Sequence, residues 1–216
     1  RADSLVRVLI SRGPGSLGVN PYDCPQSQLY VIAAALKPAF MQGHPGGARV
    51  ISSRVPAKSP LLAGIKSCNY LPNVLMKKEA VDAGVDFVIG FDEDGFVTES
   101  ATESIALVTP AAALVFPASA QLLEGTTAGR VQGLAEALVA DGLLSNIESR
   151  VVRRDELSSS REILIIGTTP DVSAAIELDG RPVGDGKPGP VQQKLNQLLC
   201  DDIERNEALR TPVAAG

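Results

Sequence analysis

A lysine and a glutamate near apolar stretches are the residues of this sequence with the clearest chemistry. Lys66 follows the apolar residues 61–65, and Glu99 lies 33 positions later, directly after residues 96–98. We expect residues 61–65 to place the Lys66 amine in an apolar pocket, where desolvation makes it nucleophilic. An amine can form a Schiff base with an aldehyde, and a carboxylate can keep a pyridine nitrogen protonated; pyridoxal phosphate chemistry requires both groups. The pair therefore indicates an enzyme. The ordinary alternative is two solvated side chains, because most lysines and glutamates lie at the surface.

Two glycine–threonine turns could hold a phosphate. Gly125-Thr126-Thr127 precedes a predicted helix, and Gly167-Thr168-Thr169 follows an apolar predicted strand. Free N–H groups at a helix start bind phosphate, and threonine hydroxyls add further donors. Either turn alone is equally consistent with a helix cap or a chain reversal. Together with a candidate aldehyde-binding lysine, they predict a phosphate held from two sides.

Other chemistries find less support. Residues 184–189 have the spacing G-x-G-x-x-G, but no strand follows the next predicted helix. The dinucleotide-binding unit is therefore incomplete, and we predict a turn instead. His44 is the only histidine, which argues against a Ser-His-Asp triad and against a multi-histidine metal site. We expect no metal in the site.

The apolar periodicity predicts many short strands and three longer helices. The helices are predicted at residues 69–83, 128–140 and 191–203, with a short one at 154–157. The strands are predicted at residues 5–11, 29–35, 48–53, 87–91, 96–98, 104–108, 114–116, 147–152, 162–166 and 174–178. Strands and helices do not alternate strictly, which disfavours a single parallel β-α-β array. We predict an α/β (mixed α+β) fold with a mixed sheet or pseudo-barrel.

Composition narrows the class of protein. The chain has 216 residues, of which 44% are apolar and 21% charged, as in ordinary globular proteins. The net charge of -5, without a basic stripe, argues against a nucleic-acid partner. No apolar run approaches the roughly 20 residues that a membrane span needs. Three scattered cysteines imply no disulfide framework, so we predict a cytoplasmic location.

Taken in order along the chain, several motifs resemble the class IV aminotransferases, which are fold-type IV pyridoxal phosphate enzymes. The family includes branched-chain aminotransferases, D-amino acid aminotransferases and aminodeoxychorismate lyases. The matching stretches span essentially the whole chain and are residues 65–75, 79–80, 95–100, 123–127, 167–169 and 184–190. The resemblance implies the large domain of these enzymes, a mixed-sheet pseudo-barrel flanked by helices.

The resemblance also implies a role for each site residue. Lys66 would carry pyridoxal 5'-phosphate as an aldimine and then act as general acid and base. Glu99 would pair with the pyridine nitrogen, and Tyr70 would bond the phenolic oxygen of the cofactor. Leu123 would pack against the cofactor ring. The phosphate would be held by Gly125, Thr126, Thr127 and Thr168.

The domain expectation comes from the same resemblance. Residues 1–216 would form the large C-terminal cofactor-binding domain. The smaller N-terminal domain of the family, which supplies a phosphate-binding arginine, would be largely absent from this chain. Bacterial D-amino acid enzymes carry a basic carboxylate trap after the Arg-Gly that Arg12-Gly13 matches. Ser16-Leu17-Gly18 stands there in this chain, which counts against D-amino acid substrates.

The family implies a specific activity. We expect an aminotransferase that moves an amino group between a small, branched-chain amino acid and 2-oxoglutarate, working as a homodimer. One alternative is a lyase that releases pyruvate from 4-amino-4-deoxychorismate with the same lysine. Residues 60–66 resemble those lyases, whereas Asn69-Tyr70-Leu71 favours the aminotransferases. A second alternative is a non-catalytic or truncated large-domain fragment.

Overall fold

The computed structural model of this chain describes residues 4–169 and 171–212, which divide into two compact units. The first unit contains residues 4–38 together with Ser67–Asn69. The second contains Ala39–Lys66 and residues 70–212. Each unit is described by itself below.

The first unit is built on an antiparallel strand pair, β1 (Ser4–Ser11) and β2 (Gln28–Ala35). Ser4 lies opposite Ala35, and Ser11 lies opposite Gln28, so the pairing runs the full length of both strands. Both strands match the predicted ranges within one residue. A two-stranded sheet has no interior of its own, and its large apolar side chains remain largely exposed.

An eight-stranded mixed sheet forms the centre of the second unit. Its strands are β3 (Ala48–Ser52), β4 (Phe87–Ile89), β5 (Ser104–Val108), β6 (Ala113–Pro117), β7 (Asn146–Arg150), β8 (Glu162–Gly167), β9 (Asp171–Leu178) and β10 (Arg181–Pro182). The spatial order is β4-β3-β9-β8-β5-β6-β7, and β10 pairs with β9. The pairs β3–β4, β3–β9 and β6–β7 are parallel, and the others are antiparallel. The predicted mixed sheet is confirmed.

Two isolated bridges connect the ends of this sheet. Phe91, just after β4, bridges to Val97, and the neighbouring Phe96 bridges to Arg153, just after β7. The predicted strands at residues 87–91 and 96–98 are therefore wrong in extent: β4 stops at Ile89, and residues 96–98 form bridges only. The reason is local, because the chain turns tightly at Asp92, whose carboxylate accepts the Phe96 N–H at 2.8 Å.

Seven α-helices belong to the described part of the second unit. They are α1 (Phe40–Gly43), α2 (Pro60–Ala63), α3 (Leu71–Asp82), α4 (Thr126–Leu134), α5 (Glu136–Ala140), α6 (Arg154–Ser159) and α7 (Pro190–Arg205). The single helix predicted at residues 128–140 is wrong, since α4 and α5 meet at Ala135. The Ala135 carbonyl accepts N–H bonds from both Leu138 and Val139, which tightens the chain there. Among the described helices, none has the length and apolar character needed to cross a bilayer.

Alternating side chains build a core on each face of the sheet. In β5, Ile105 and Leu107 point to one face, and Ala106 and Val108 to the other, as a period of two requires. The second face is covered by α4, α5 and α7, through residues that include Val131, Leu138 and Leu195. Full burial of one such aliphatic side chain contributes about 1.5–3 kcal/mol.

The glycine-rich stretch at residues 184–189 is a turn, as predicted, and it serves the start of α7. Gly184 has φ +56°, and a Cβ there would lie 2.3 Å from the Arg161 carbonyl oxygen. The buried carboxylate of Glu162 accepts the N–H groups of Val191 and Gln192 at 3.0 and 2.8 Å. Burial raises the pKa of Glu162, while these two N–H bonds oppose that effect. The glycine spacing at residues 184–189 is therefore explained by close packing at the start of α7.

Candidate functional site

Lys66 lies between α2 and α3, where its amine meets a phenol. Lys66 Nζ donates to the hydroxyl of Tyr70 at 3.1 Å and lies 5.8 Å from the centre of the Tyr70 ring. The apolar enclosure expected from residues 61–65 is wrong, because Leu61 and Ile65 are 79% and 54% exposed. A helix as short as α2 buries only Ala63. The amine is therefore accessible, with Tyr70 as its polar partner.

Glu99 is placed by a close approach of two backbone segments. The Gly90 N–H donates to the Glu99 carbonyl at 2.9 Å, and the Thr98 N–H donates to the Gly90 carbonyl at 3.0 Å. A Cβ at Gly90 would lie 2.9 Å from both the Glu99 carbonyl oxygen and Thr98 Oγ1. Because Gly90 has no side chain, its backbone can pair with that of Thr98 and Glu99. This pairing fixes the backbone from which the Glu99 carboxylate extends.

Both oxygens of the Glu99 carboxylate are engaged. The Leu123 N–H donates to Oε2 at 3.0 Å, and Lys58 Nζ lies 2.8 Å from Oε1. The side chains of Lys58 and Glu99 are only 20% and 15% exposed. Sequence reasoning missed Lys58, since it belongs to no motif and lies 41 positions before its partner.

The first turn of α4 forms the third part of the site. Gly125 is its N-cap residue, and no side chain caps this helix end in the described chain. The alternative in which Thr126 or Thr127 serves as the cap is therefore wrong. A Cβ at Gly125 would lie 2.4 Å from Ser104 Oγ, so glycine lets β5 and the helix start pack closely. The first N–H groups of an α-helix have no partner within the helix, and no described side chain caps those of α4.

One cavity of 140 Å³ gathers most of the predicted site residues. Its lining includes Lys66, Glu99, Leu123, Gly125, Thr126, Thr127 and Thr168. Tyr70, the remaining predicted residue, is hydrogen-bonded to Lys66. A wider cavity of 870 Å³ shares part of this lining, namely Glu99, Leu123, Gly125 and Thr126. The residues thus meet in space, while the role of each stays a prediction.

The lining of the 140 Å³ cavity has more acidic than basic side chains. Among the described residues that line it, Lys66 is the only cation, whereas Glu99, Glu103 and Glu124 are acidic. Its other polar groups are the hydroxyls of serine and threonine and the N–H groups of α4. An anionic group bound there would therefore be held mainly by neutral donors.

The family profile described as amino-transferase class IV matches residues 2–177.

The chain belongs to the class IV aminotransferase family.

One relative of this class IV aminotransferase is the chloroplastic D-amino-acid transaminase of Arabidopsis thaliana. It is 34% identical over 93% of this chain and 53% of the relative. The branched-chain-amino-acid aminotransferase of Escherichia coli (strain K12) is 27% identical over 90% of this chain and 62% of its own length.

A solved structure shares the fold of this class IV aminotransferase chain. It is the T.th. branched-chain amino acid aminotransferase complexed with N-(5'-phosphopyridoxyl)-L-glutamate, with a TM-score of 0.83 and 28% identity. The match covers 93% of this chain and 64% of that one. The chain therefore spans roughly half to two thirds of the proteins that it resembles.

Proposed function

We propose that this chain binds pyridoxal 5'-phosphate in the 140 Å³ cavity and provides the chemistry of an aminotransferase. The reaction would move an amino group between a small, branched-chain amino acid and 2-oxoglutarate. The observation that carries this proposal is the shared cavity of Lys66, Glu99 and the uncapped start of α4. The phosphopyridoxyl compound named for the T.th. enzyme supports the choice of cofactor.

The residues present fit the cofactor group by group. Lys66 offers an accessible amine for the aldehyde, and Glu99 offers a carboxylate for the ring nitrogen. Leu123 supplies an apolar side chain for the ring. The phosphate would be held by the N–H groups of α4 and by Gly125, Thr126, Thr127 and Thr168. When bound, the cofactor supplies a reactive aldehyde and a protonated ring that withdraws electrons from the substrate.

The residues of the chain would position and move protons. The Lys66 amine would take the proton from the substrate Cα as general base and pass it to a carbon of the cofactor as general acid. Tyr70, 3.1 Å away, would orient that amine and bond the phenolic oxygen of the cofactor. Glu99, held by the Leu123 N–H, would keep its carboxylate aimed at the ring nitrogen.

We also propose that residues 1–216 act as the large cofactor-binding domain of a class IV enzyme. The cavity lining carries one lysine and three glutamates, so it offers a phosphate dianion little positive charge of its own. A phosphate-binding arginine from a smaller N-terminal domain, as the family resemblance implies, would correct that balance. The greater length of the relatives is consistent with this arrangement.

We further propose that the protein works as a homodimer. In α3, Leu71, Val74, Leu75 and Val81 follow helical spacing along one face and are 41–65% exposed. The opposite face buries Asn73, Met76 and Ala80. The outer face also carries the exposed ion pair of Lys78 and Asp82, so its apolar part is concentrated at Leu71, Val74 and Leu75. A second copy of the chain would cover that part. The cytoplasmic location stays a prediction, since one relative bears a chloroplastic name.

Reduction with borohydride tests the cofactor assignment. The protein is incubated with pyridoxal 5'-phosphate and reduced, and its intact mass and modified peptide are then measured. We expect one adduct per chain, on Lys66, and no adduct in Lys66→Ala. Lys194→Ala, at an exposed position of α7, is the matched control and should keep the adduct. An adduct of unchanged yield in Lys66→Ala would reject the assignment.

A substrate panel tests the reaction and the alternatives. Glutamate formation from 2-oxoglutarate is measured with L-leucine, L-valine, D-alanine and D-aspartate as amino donors. The proposal expects the L-branched donors to be used. Preference for the D donors would instead favour the activity named for the Arabidopsis relative. Pyruvate release from 4-amino-4-deoxychorismate without an acceptor would indicate the lyase, and no turnover with bound cofactor would indicate a non-catalytic fragment.

A further inference from the structure

We propose that Lys58 is a positioning residue that holds the Glu99 carboxylate toward the cofactor ring from outside the cavity. The inference rests on the proposed function, because it assigns Glu99 to the ring nitrogen. Glu99 would bind the protonated ring nitrogen of the cofactor. Lys58, which no sequence motif indicated, would support Glu99 in that role.

The geometry separates Lys58 from the ligand. Lys58 Nζ lies 2.8 Å from Glu99 Oε1, yet Lys58 is not among the described residues that line either the 140 Å³ or the 870 Å³ cavity. Glu99 lines both cavities. The lysine therefore contacts the carboxylate from behind, and the cavity side of the carboxylate remains open to a ligand.

The carboxylate has room for both partners. Two oxygens provide about four lone-pair positions. Lys58 takes one on Oε1, and the Leu123 N–H takes one on Oε2, which leaves a position on each oxygen for a donor in the cavity. Contacts on both oxygens also fix the plane of the carboxylate, so a ring nitrogen would meet an acceptor that is already oriented.

The segment that carries Lys58 is itself anchored to α3. Ser53 Oγ donates to Glu79 Oε2 at 2.6 Å, and the Arg54 N–H donates to Glu79 Oε1 at 3.2 Å. Two residues after Lys58 the chain enters α2 at Pro60. The lysine thus reaches Glu99 from a short loop held at both ends, which suits a fixed support.

Removing the lysine would release the carboxylate. In Lys58→Met, Glu99 would keep one N–H partner while its side chain stays mostly covered. A poorly paired, partly buried charge is costly, and the side chain can relieve that cost by turning toward water. Glu99 would then lose its aim at the ring nitrogen, although the phosphate and aldehyde contacts would remain.

The test compares two cofactors that differ only at the ring nitrogen. Dissociation constants are measured for pyridoxal 5'-phosphate and for its analogue with C–H in place of that nitrogen. The proteins are the wild-type chain, Lys58→Met, Lys58→Arg and the exposed control Lys194→Met. We expect the wild-type preference for the nitrogen cofactor to fall about tenfold in Lys58→Met, in line with loss of one hydrogen bond to a charged group. Lys58→Arg and Lys194→Met should retain the preference.

The possible results distinguish failure of the role proposed for Lys58 from failure of the role proposed for Glu99. If the wild type prefers the nitrogen cofactor and Lys58→Met does so equally or more strongly, the Lys58 inference is overturned while the proposed function stands. If Lys58→Arg loses the preference as fully as Lys58→Met does, the support is not a matter of charge and the inference is also rejected. If the wild type binds both cofactors equally or neither, the proposed role of Glu99 fails and the Lys58 inference falls with it. Matching thermal unfolding of all variants excludes loss of fold as the cause.

Discussion

Tyr70 gives the Lys66 amine a defined direction, since its hydroxyl lies within 3.1 Å and its ring lies close to the same nitrogen. The hydrogen bond and the ring contact are separable, because phenylalanine retains the ring and lacks the hydroxyl. In the proposed mechanism, Tyr70 would tune the rate at which the Lys66 amine reacts. Lys66 and Tyr70 are four residues apart in sequence.

Tyr70→Phe should slow the capture of pyridoxal 5'-phosphate by Lys66 roughly three- to tenfold, as expected for loss of one hydrogen bond to an exposed amine. The measurement is the rate of formation of the borohydride-reducible adduct. Tyr30→Phe is the matched control, because it removes an exposed hydroxyl that bonds to Gln28 in the first unit. Equal rates in the wild type and Tyr70→Phe would contradict the orienting role.

At the scale of elements, the start of α4 depends on the absence of a side chain at Gly125. The helix can approach β5 because Gly125 has no Cβ, which would lie 2.4 Å from Ser104 Oγ. Gly129, one turn later in the same helix, faces open space. These two glycines therefore differ in their packing, although both lie at the same end of one helix.

Gly125→Ala should lower the free energy of unfolding by about 1–3 kcal/mol, because the new methyl group overpacks the contact with Ser104. Gly129→Ala should leave it unchanged or raise it by about 0.4–1 kcal/mol, through helix propensity and a less flexible unfolded chain. Urea unfolding of both variants checks the pair. Equal effects of the two substitutions would show that the close contact is not what makes Gly125 different.

The sequence predicted the elements well where apolar periodicity was clean. The strands β5 and β8 and the helices α3 and α7 follow the predictions within two residues at each end. The break at Ala135 was missed, because Val131, Ala135 and Leu138 keep a helical spacing across it. The strand predicted at residues 96–98 was wrong too, because the tight turn at Asp92 leaves only isolated bridges at Phe96 and Val97.

The candidate site was predictable to a different degree. Lys66, Glu99 and the two glycine–threonine turns were predicted from their residue types and from family resemblance. They line one cavity, and their roles stay predictions. Lys58 could not be found, because an ion pair between distant positions leaves no periodic signal. The apolar setting expected for Lys66 was wrong, since a four-residue helix such as α2 cannot enclose a side chain.

On the scale of the whole molecule, an ion pair joins α4 and α7, which cover the same face of the sheet. The Arg130 guanidinium bonds both oxygens of the Asp202 carboxylate through Nε, at 2.6 Å, and through a second nitrogen. The hydrogen bond from Arg130, followed by that from Asn206, lowers the pKa of Asp202 to about 2. Stability from this pair is present above the ordinary pKa of 3.8 and is lost as the pH falls through about 2.

Asp202→Asn should therefore be less stable than the wild type near neutral pH, and the difference should shrink as the pH falls from 3.8 toward 2. The free energy of unfolding in urea, measured across this range, checks the sign. Asp201→Asn breaks the exposed pair with Arg205 on the same helix and should have little effect. A gap between wild type and Asp202→Asn that stays constant down to about pH 2 would contradict the assignment.

The exposed apolar residues at the start of α3, Leu71, Val74 and Leu75, are the proposed contact between two copies of the chain. Val74→Glu places a charge among them and should convert a dimer into monomers, measured by light scattering after size-exclusion chromatography. Val151→Glu is the control, because Val151 is similarly exposed but lies just after β7. If the wild type elutes as a monomer at every concentration tested, the proposed homodimer is wrong.

The bridges Phe91–Val97 and Phe96–Arg153 together join the two ends of the sheet, and Phe96 lies three residues before Glu99. The acid can therefore take its place only once segments far apart in sequence have come together. Thr168 reaches the same cavity from still further along the chain. Cofactor added during refolding should consequently bind in the last kinetic phase, when the most slowly protected amides become protected from exchange. The colour of the bound cofactor would then report the completed native state.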